Sequence, residues 1–103
     1  MSELQWHRIG LASDFKPGSL RGMRVESHHL CIGHGDTGPF AVADTCPHAG
    51  GSLSEGLVDG REIVCPLHAW GFDVETGESP DDPSCRLRVY PVRIEGDGLE
   101  VQF

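Results

Sequence analysis

Apolar positions in this chain recur in short runs, not at helical spacing. Each run is rich in β-branched and aromatic residues and is cut by Gly, Pro or Asp. Trp6 to Leu11 predicts a first strand, and Lys16-Pro17-Gly18 predicts a turn after it. Met23 to Glu26 and His29 to Gly33 predict the next two strands. Asp36-Thr37-Gly38 reads as a hairpin turn leading into Phe40-Ala41-Val42-Ala43. Near the end, Tyr90 to Glu95 and Leu99 to Phe103 flank Gly96-Asp97-Gly98, a strong hairpin signal. Pro91 cannot donate to a ladder, which puts that stretch on an edge or at a bulge. Between the two strand-rich regions lies a long, Gly-rich insertion with a hairpin of its own. Leu57-Val58 and Glu62-Ile63-Val64 are joined there through Asp59-Gly60. The pattern predicts an all-β fold, with this insertion setting two loops side by side at one end of a sheet.

Composition adds limits. A chain of 103 residues predicts one compact domain, long enough to bury a core without a metal to compensate for size. Fourteen glycines and seven prolines suit a turn-rich β domain. Sixteen acidic against eight basic residues leave a net charge of −8, which argues against nucleic acid and favours docking to a basic protein surface. The first residues are polar and acidic, and no run approaches the roughly 20 apolar residues of a membrane span. The expectation is therefore a soluble, cytoplasmic protein with no membrane partner. In that compartment Cys31, Cys46, Cys65 and Cys85 are expected as ligands or thiols, not disulfides.

The insertion carries the chemistry. It reads CPHAGGSLSEGLVDGREIVCPLHAW over residues 46–70, with Cys46 and His48 near its start and Cys65 and His68 near its end. Thiolate and imidazole suit zinc, iron–sulfur clusters or copper. Four such ligands from two loops could close a tetrahedral zinc site. They could equally hold a [2Fe–2S] cluster with two cysteines on one iron and two histidines on the other. Zinc knuckles usually pair like ligands two to four residues apart. Here each loop supplies one cysteine and one histidine, so each loop would reach both irons of a bridged pair. Cys31 and Cys85 lack ligand spacing; Cys31, between Leu30 and Ile32 on a strand, is expected as a buried thiol. His7, His28, His29 and His34 have no partner pattern and read as surface or satisfied histidines.

C-x-H, sixteen residues and C-x-x-H resembles the Rieske [2Fe–2S] family. The likeness extends to His48-Ala49-Gly50-Gly51 with Leu53 and Gly56, and to His68-Ala69-Trp70-Gly71-Phe72-Asp73 with Thr76-Gly77. It is close over residues 42 to 78 and looser in the flanking strands. The resemblance implies a Rieske-type antiparallel β-sandwich or barrel over residues 1–103. A cluster-binding subdomain, about residues 44–78, would be inserted in a basal domain made of 1–43 and 79–103. It also implies one [2Fe–2S] cluster, with Cys46 and Cys65 on one iron and His48 and His68 on the other. High-potential members of that family carry two further cysteines and hydroxyls near the sulfurs. Gly51, Leu67, Trp70 and Phe72 stand at those positions here. The expected potential is therefore within a few tens of millivolts of the lower bound of the class range, about −150 to +300 mV. Gly50, Gly51 and Gly71 are expected to let backbone approach the sulfides. The segment Glu78-Ser79-Pro80-Asp81-Asp82-Pro83-Ser84 resembles the loop that covers the cluster.

A chain of this length has no room for a catalytic domain, and it has no Rossmann fingerprint. The implied role is a ferredoxin, not an enzyme by itself. It would carry single electrons from a ferredoxin reductase to a terminal oxygenase of the aromatic-ring-hydroxylating dioxygenase type. The alternative is the small subunit of an NAD(P)H-dependent assimilatory nitrite reductase, partnered by its large subunit, since Asp73-Val74-Glu75-Thr76-Gly77, Asp81-Asp82-Pro83 and Tyr90-Pro91-Val92-Arg93 also resemble those subunits. A structural zinc module is the third reading.

Overall fold

The computed structural model describes residues 4–47, 50–67, 69–80 and 82–103. Ten strands run through them: β1 Trp6–Leu11, β2 Leu20–Val25, β3 His28–Gly35, β4 Gly38–Ala43, β5 Leu57–Asp59, β6 Glu62–Val64, β7 Gly71–Asp73, β8 Val89–Tyr90, β9 Val92–Glu95 and β10 Gly98–Gln102. They form three antiparallel sheets, ordered β1-β10-β9, β2-β3-β4-β8 and β5-β6-β7. Two short 3-10 turns, Ala12–Asp14 and Leu53–Glu55, complete the regular structure. No described helix is long and apolar enough to cross a membrane.

The sheet of β2, β3, β4 and β8 is covered on both faces. Leu30 and Ile32 on β3 and Ala41 on β4 point into one core with Phe15, Tyr90, Leu99 and Val101. Their neighbours Cys31, Phe40 and Val42 point the other way, into a second core with Leu53, Ile63, Phe72, Val74 and Leu87. The register pairs Leu30 with Ala43, Cys31 with Val42 and Ile32 with Ala41, so each face is shared across the ladder. Strands buried on both sides lose the polar half of the usual alternation. That is why Leu30 to Ile32 and Phe40 to Val42 read as continuous apolar runs. Cys31 is fully buried, as its sequence position suggested, and burial with the nearby Asp44 charge pushes its thiol up to about 12.

Several boundaries differ from the pattern reading. β2 begins at Leu20 and stops at Val25, and Glu26 takes the left-handed conformation (φ 56°) in the turn to β3. Gly22 belongs to β2 although it adds no apolar signal, because a side chain there would strike Ser54 Oγ at 2.7 Å. The stretch Tyr90 to Glu95 is not one strand. Val89 and Tyr90 pair with β4, whereas Val92 pairs with Val101 of β10. Pro91 has no N–H for either ladder, and the chain changes sheet there. Its carbonyl still accepts from the Gln102 N–H at 2.9 Å. β7 was not anticipated as a strand; it completes the small sheet by pairing with β6.

Candidate metal centre

β4 ends at Ala43, and the chain turns into the first loop through Asp44, whose carboxylate accepts the Ser54 N–H at 2.9 Å and whose carbonyl accepts the Leu53 N–H at 2.7 Å. Those two bonds close residues 44–54 into a loop, with Thr45 bridged to Ser52. Inside it the Cys46 N–H donates to the Gly51 carbonyl and the Gly50 N–H donates to the Cys46 carbonyl, each at 2.8 Å. The second loop starts directly after β6. Val64 pairs with Gly71, and the Cys65 N–H donates to the Trp70 carbonyl at 2.8 Å, so residues 65–70 form a tight excursion between β6 and β7. β6 and the 53–55 turn thus hold the two loops at the same end of the small sheet.

Cys46 and Cys65 meet there. Both are only 1 % exposed, neither is in a disulfide, and Cys46 lies close enough to Cys65 to perturb its thiol. Burial pushes the Cys65 thiol up, a Leu67 N–H donating to its sulfur opposes this, and the neighbouring Cys46 adds to the rise. Two buried, unbridged thiols from separate loops, one already receiving an amide N–H, form half of a soft-metal donor set. They fit the group that the sequence implies. His48 and His68 lie outside the described residues. So do Ala49 and Asp81.

The glycines divide. A Cβ on Gly51 would press on Leu67 at 3.0 Å and lie 3.8 Å from Cys65 Sγ, so its lack of a side chain lets the first loop approach the second. Gly50 adopts φ 75° with open space around it, which explains its presence as a turn residue. A Cβ on Gly71 would meet the Glu62 carboxylate at 2.5 Å, so the bare α-carbon makes room for Glu62. Trp70 is half-buried against the core that contains both cysteines.

Two contributors escaped the sequence. One is the Leu67 N–H on Cys65, which depends on loop geometry and leaves no residue signature. The other is Cys85, which packs against the same core as Cys46 and Cys65. Burial, the Asp82 charge and Cys46 all push its thiol up. Two of the four histidines outside the motif have local partners. His7 Nδ1 lies 3.1 Å from the Glu26 carboxylate and its ring stacks on Phe103 at 4.0 Å; His28 Nδ1 lies 3.4 Å from the Tyr90 hydroxyl. His34 departs from that expectation: its Nδ1 is enclosed without a hydrogen-bond partner among the described residues.

Comparison with known proteins agrees with this geometry. The family model for the Rieske [2Fe-2S] domain matches residues 5–91. The ferredoxin component of the naphthalene 1,2-dioxygenase system of Pseudomonas putida is 34 % identical over 93 residues, covering 89 % of each chain. A chain in the solved complex of reduced oxygenase and oxidized ferredoxin in carbazole 1,9a-dioxygenase is 36 % identical, covers 93 % of this chain and 91 % of its own, and superposes with a TM-score of 0.83. A solved chain described as an NADH-dependent nitrite reductase small subunit from Mycobacterium tuberculosis superposes at 0.88 over 99 % of this chain and 97 % of its own. At 24 % identity that last likeness concerns the fold alone.

Proposed function

The chain belongs to the Rieske [2Fe-2S] domain family, and we propose that it works as the ferredoxin of an oxygenase system, carrying single electrons from a ferredoxin reductase to a terminal oxygenase. Its cofactor is a Rieske-type [2Fe–2S] cluster, which supplies a one-electron couple when bound. We assign Cys46 and Cys65 to one iron and His48 and His68 to the other. The observation that carries this reading is the pairing of two buried thiols from two loops inside the matched region. The relatives that share most of both chains are named as ferredoxin components, so this chain's role is electron transfer and not catalysis.

What the residues here do is hold and shield. The 44–54 and 65–70 loops present the ligands, Leu67 donates an N–H to one sulfur, and the half-buried Trp70 with the core below excludes water. In this reading the iron held by the histidines would be the side of the cluster that meets a docking partner. Residues 1–43 and 79–103 serve in this reading as the basal part of one domain and residues 44–78 as its cluster-binding subdomain, in the cytoplasm.

Visible and EPR spectra of the purified protein, with iron and acid-labile sulfide analysis, test the reading. The expected result is a red-brown protein with two irons and two sulfides per chain. A colourless protein holding zinc and no sulfide would refute it. Constant co-purification with a large sirohaem-containing subunit would favour the nitrite reductase alternative.

A further inference from the structure

The small sheet has one face in the core and one outside. Val58, Ile63 and Phe72 form the inner row, with Ile63 and Phe72 fully buried. Register then sets two rows on the outer face, because residues directly opposite in a ladder share a side. Leu57, Val64 and Gly71 form the row that adjoins the Cys65 loop, and Leu57 is 55 % exposed. Asp59, Glu62 and Asp73 form the other row, about 7 Å further along the strands. The Glu62 carboxylate leans back over Gly71 and so borders the apolar row.

Three carboxylates side by side across a ladder destabilise it. Only one end is offset: Arg61 Nη2 lies 3.4 Å from Asp73 and 3.1 Å from Glu75. Asp59 and Glu62 have no ion-pair partner among the described residues. The same imbalance holds more widely. Residues 44–78 contain seven carboxylates and one arginine, which is six of the chain's eight net negative charges. The charge is thus concentrated around the proposed cluster, where it raises the cost of folding and would attract a cationic surface.

We propose that the outer face of the β5-β6-β7 sheet docks a redox protein that presents an apolar patch rimmed by lysine or arginine. Leu57 and Val64 meet the patch, and Asp59, Glu62 and Asp73 meet the rim. Three features together carry this: an apolar row with Leu57 exposed and Val64 half-buried, a carboxylate row beside it that is offset only at Asp73, and continuity with the loop that bears Cys65. The inference rests on the electron-carrier reading and adds a lateral contact surface to the loop tips.

Stopped-flow reduction of a cationic cytochrome c by the reduced holoprotein tests it. One electron leaves the protein and reduces the ferric haem, with no proton transferred. At about 0.1 M ionic strength the screening length is about 10 Å, so only carboxylates near the contact steer association. The Asp59→Asn/Glu62→Gln pair is expected to slow the bimolecular rate roughly threefold or more there. The Asp14→Asn/Glu95→Gln pair removes the same charge from exposed positions away from the small sheet and should leave the rate near the parent value. At about 0.01 M screening extends to about 30 Å and both pairs should slow it. Leu57→Asn should lower the rate without changing its salt slope. Visible spectra and midpoint potentials at parent values separate docking from damage to the cluster. If the first pair loads no cluster, Glu62→Gln alone serves the same comparison. Equal slowing by the two pairs at about 0.1 M, or a Leu57→Asn rate equal to the parent, overturns the proposal. A parent protein without a cluster fails the electron-carrier reading instead.

Discussion

Gly56 sits where the Leu53–Glu55 turn hands the chain to β5, with its N–H donating to the Leu53 carbonyl at 2.9 Å. A Cβ there would penetrate the Val64 carbonyl oxygen, and would lie 3.1 Å from the Val64 carbonyl carbon and 3.2 Å from the Leu53 oxygen. Every obstacle is backbone, so no rotamer change relieves the clash. In Gly56→Ala the two segments must separate by roughly 1.5 Å to restore ordinary contact near 3.5 Å. Val64 directly precedes Cys65, so the displacement passes straight into the second loop. Metal sites tolerate only about 0.2 Å in ligand distance. Overpacking costs about 1–3 kcal/mol, and a backbone clash belongs at the upper end. The expected outcome is a severalfold fall in iron and sulfide per chain, with faster bleaching by a chelator. Gly96→Ala is the matched control. Gly96 lies in the β9–β10 turn at φ 63° with open space around it, so alanine costs about 1–2 kcal/mol of backbone strain and should leave cluster content unchanged. Parent-level iron and bleaching rate in Gly56→Ala, with the larger defect in Gly96→Ala, would refute the argument that this contact sets the Cys65 loop.

Three further outcomes follow from the same structure. A redox titration should place the midpoint within a few tens of millivolts of the lower bound of the class, near −150 mV; a value well above zero would contradict the inference from Gly51, Leu67, Trp70 and Phe72. Cys65→Ser should abolish the visible spectrum, whereas Cys31→Ala should retain it, because Cys31 is buried away from any ligand spacing. Cys31 also gives a signed pH effect: its thiol stays protonated in the fold to about 12, whereas in the unfolded chain it ionises near 9. Its contribution to stability is whole below pH 8 and declines as pH rises toward 12, by up to about 1.4 kcal/mol per pH unit above the unfolded value. The difference in urea midpoint between parent and Cys31→Ala should therefore shrink from pH 8 to pH 10.5, and a constant difference would exclude that linkage.

The all-β class and most turns were legible along the chain because they are local. Cys46-x-His48 and Cys65-x-x-His68 announce donor chemistry by residue type and spacing alone. Asp36-Thr37 and Gly96-Asp97 announce turns through backbone preferences that need no partner. The outer strand β1 was legible to the residue because its exposed and half-buried positions mark where the run begins and ends.

Only the tertiary structure decided the rest, because it depends on which distant residues become neighbours. Pro91 advertises a break in a ladder, but nothing near it says that β8 joins β4 and β9 joins β10. Gly71 gives no hint in sequence that the space it leaves is filled by Glu62 from the adjacent strand. Cys85, nearly forty positions from Cys46, joins the same core only after the chain has folded back. The row of Asp59, Glu62 and Asp73 is invisible in sequence, since its members come from three strands and become adjacent only through register. Residue chemistry travels with the sequence; the field and packing around each residue are set by the fold.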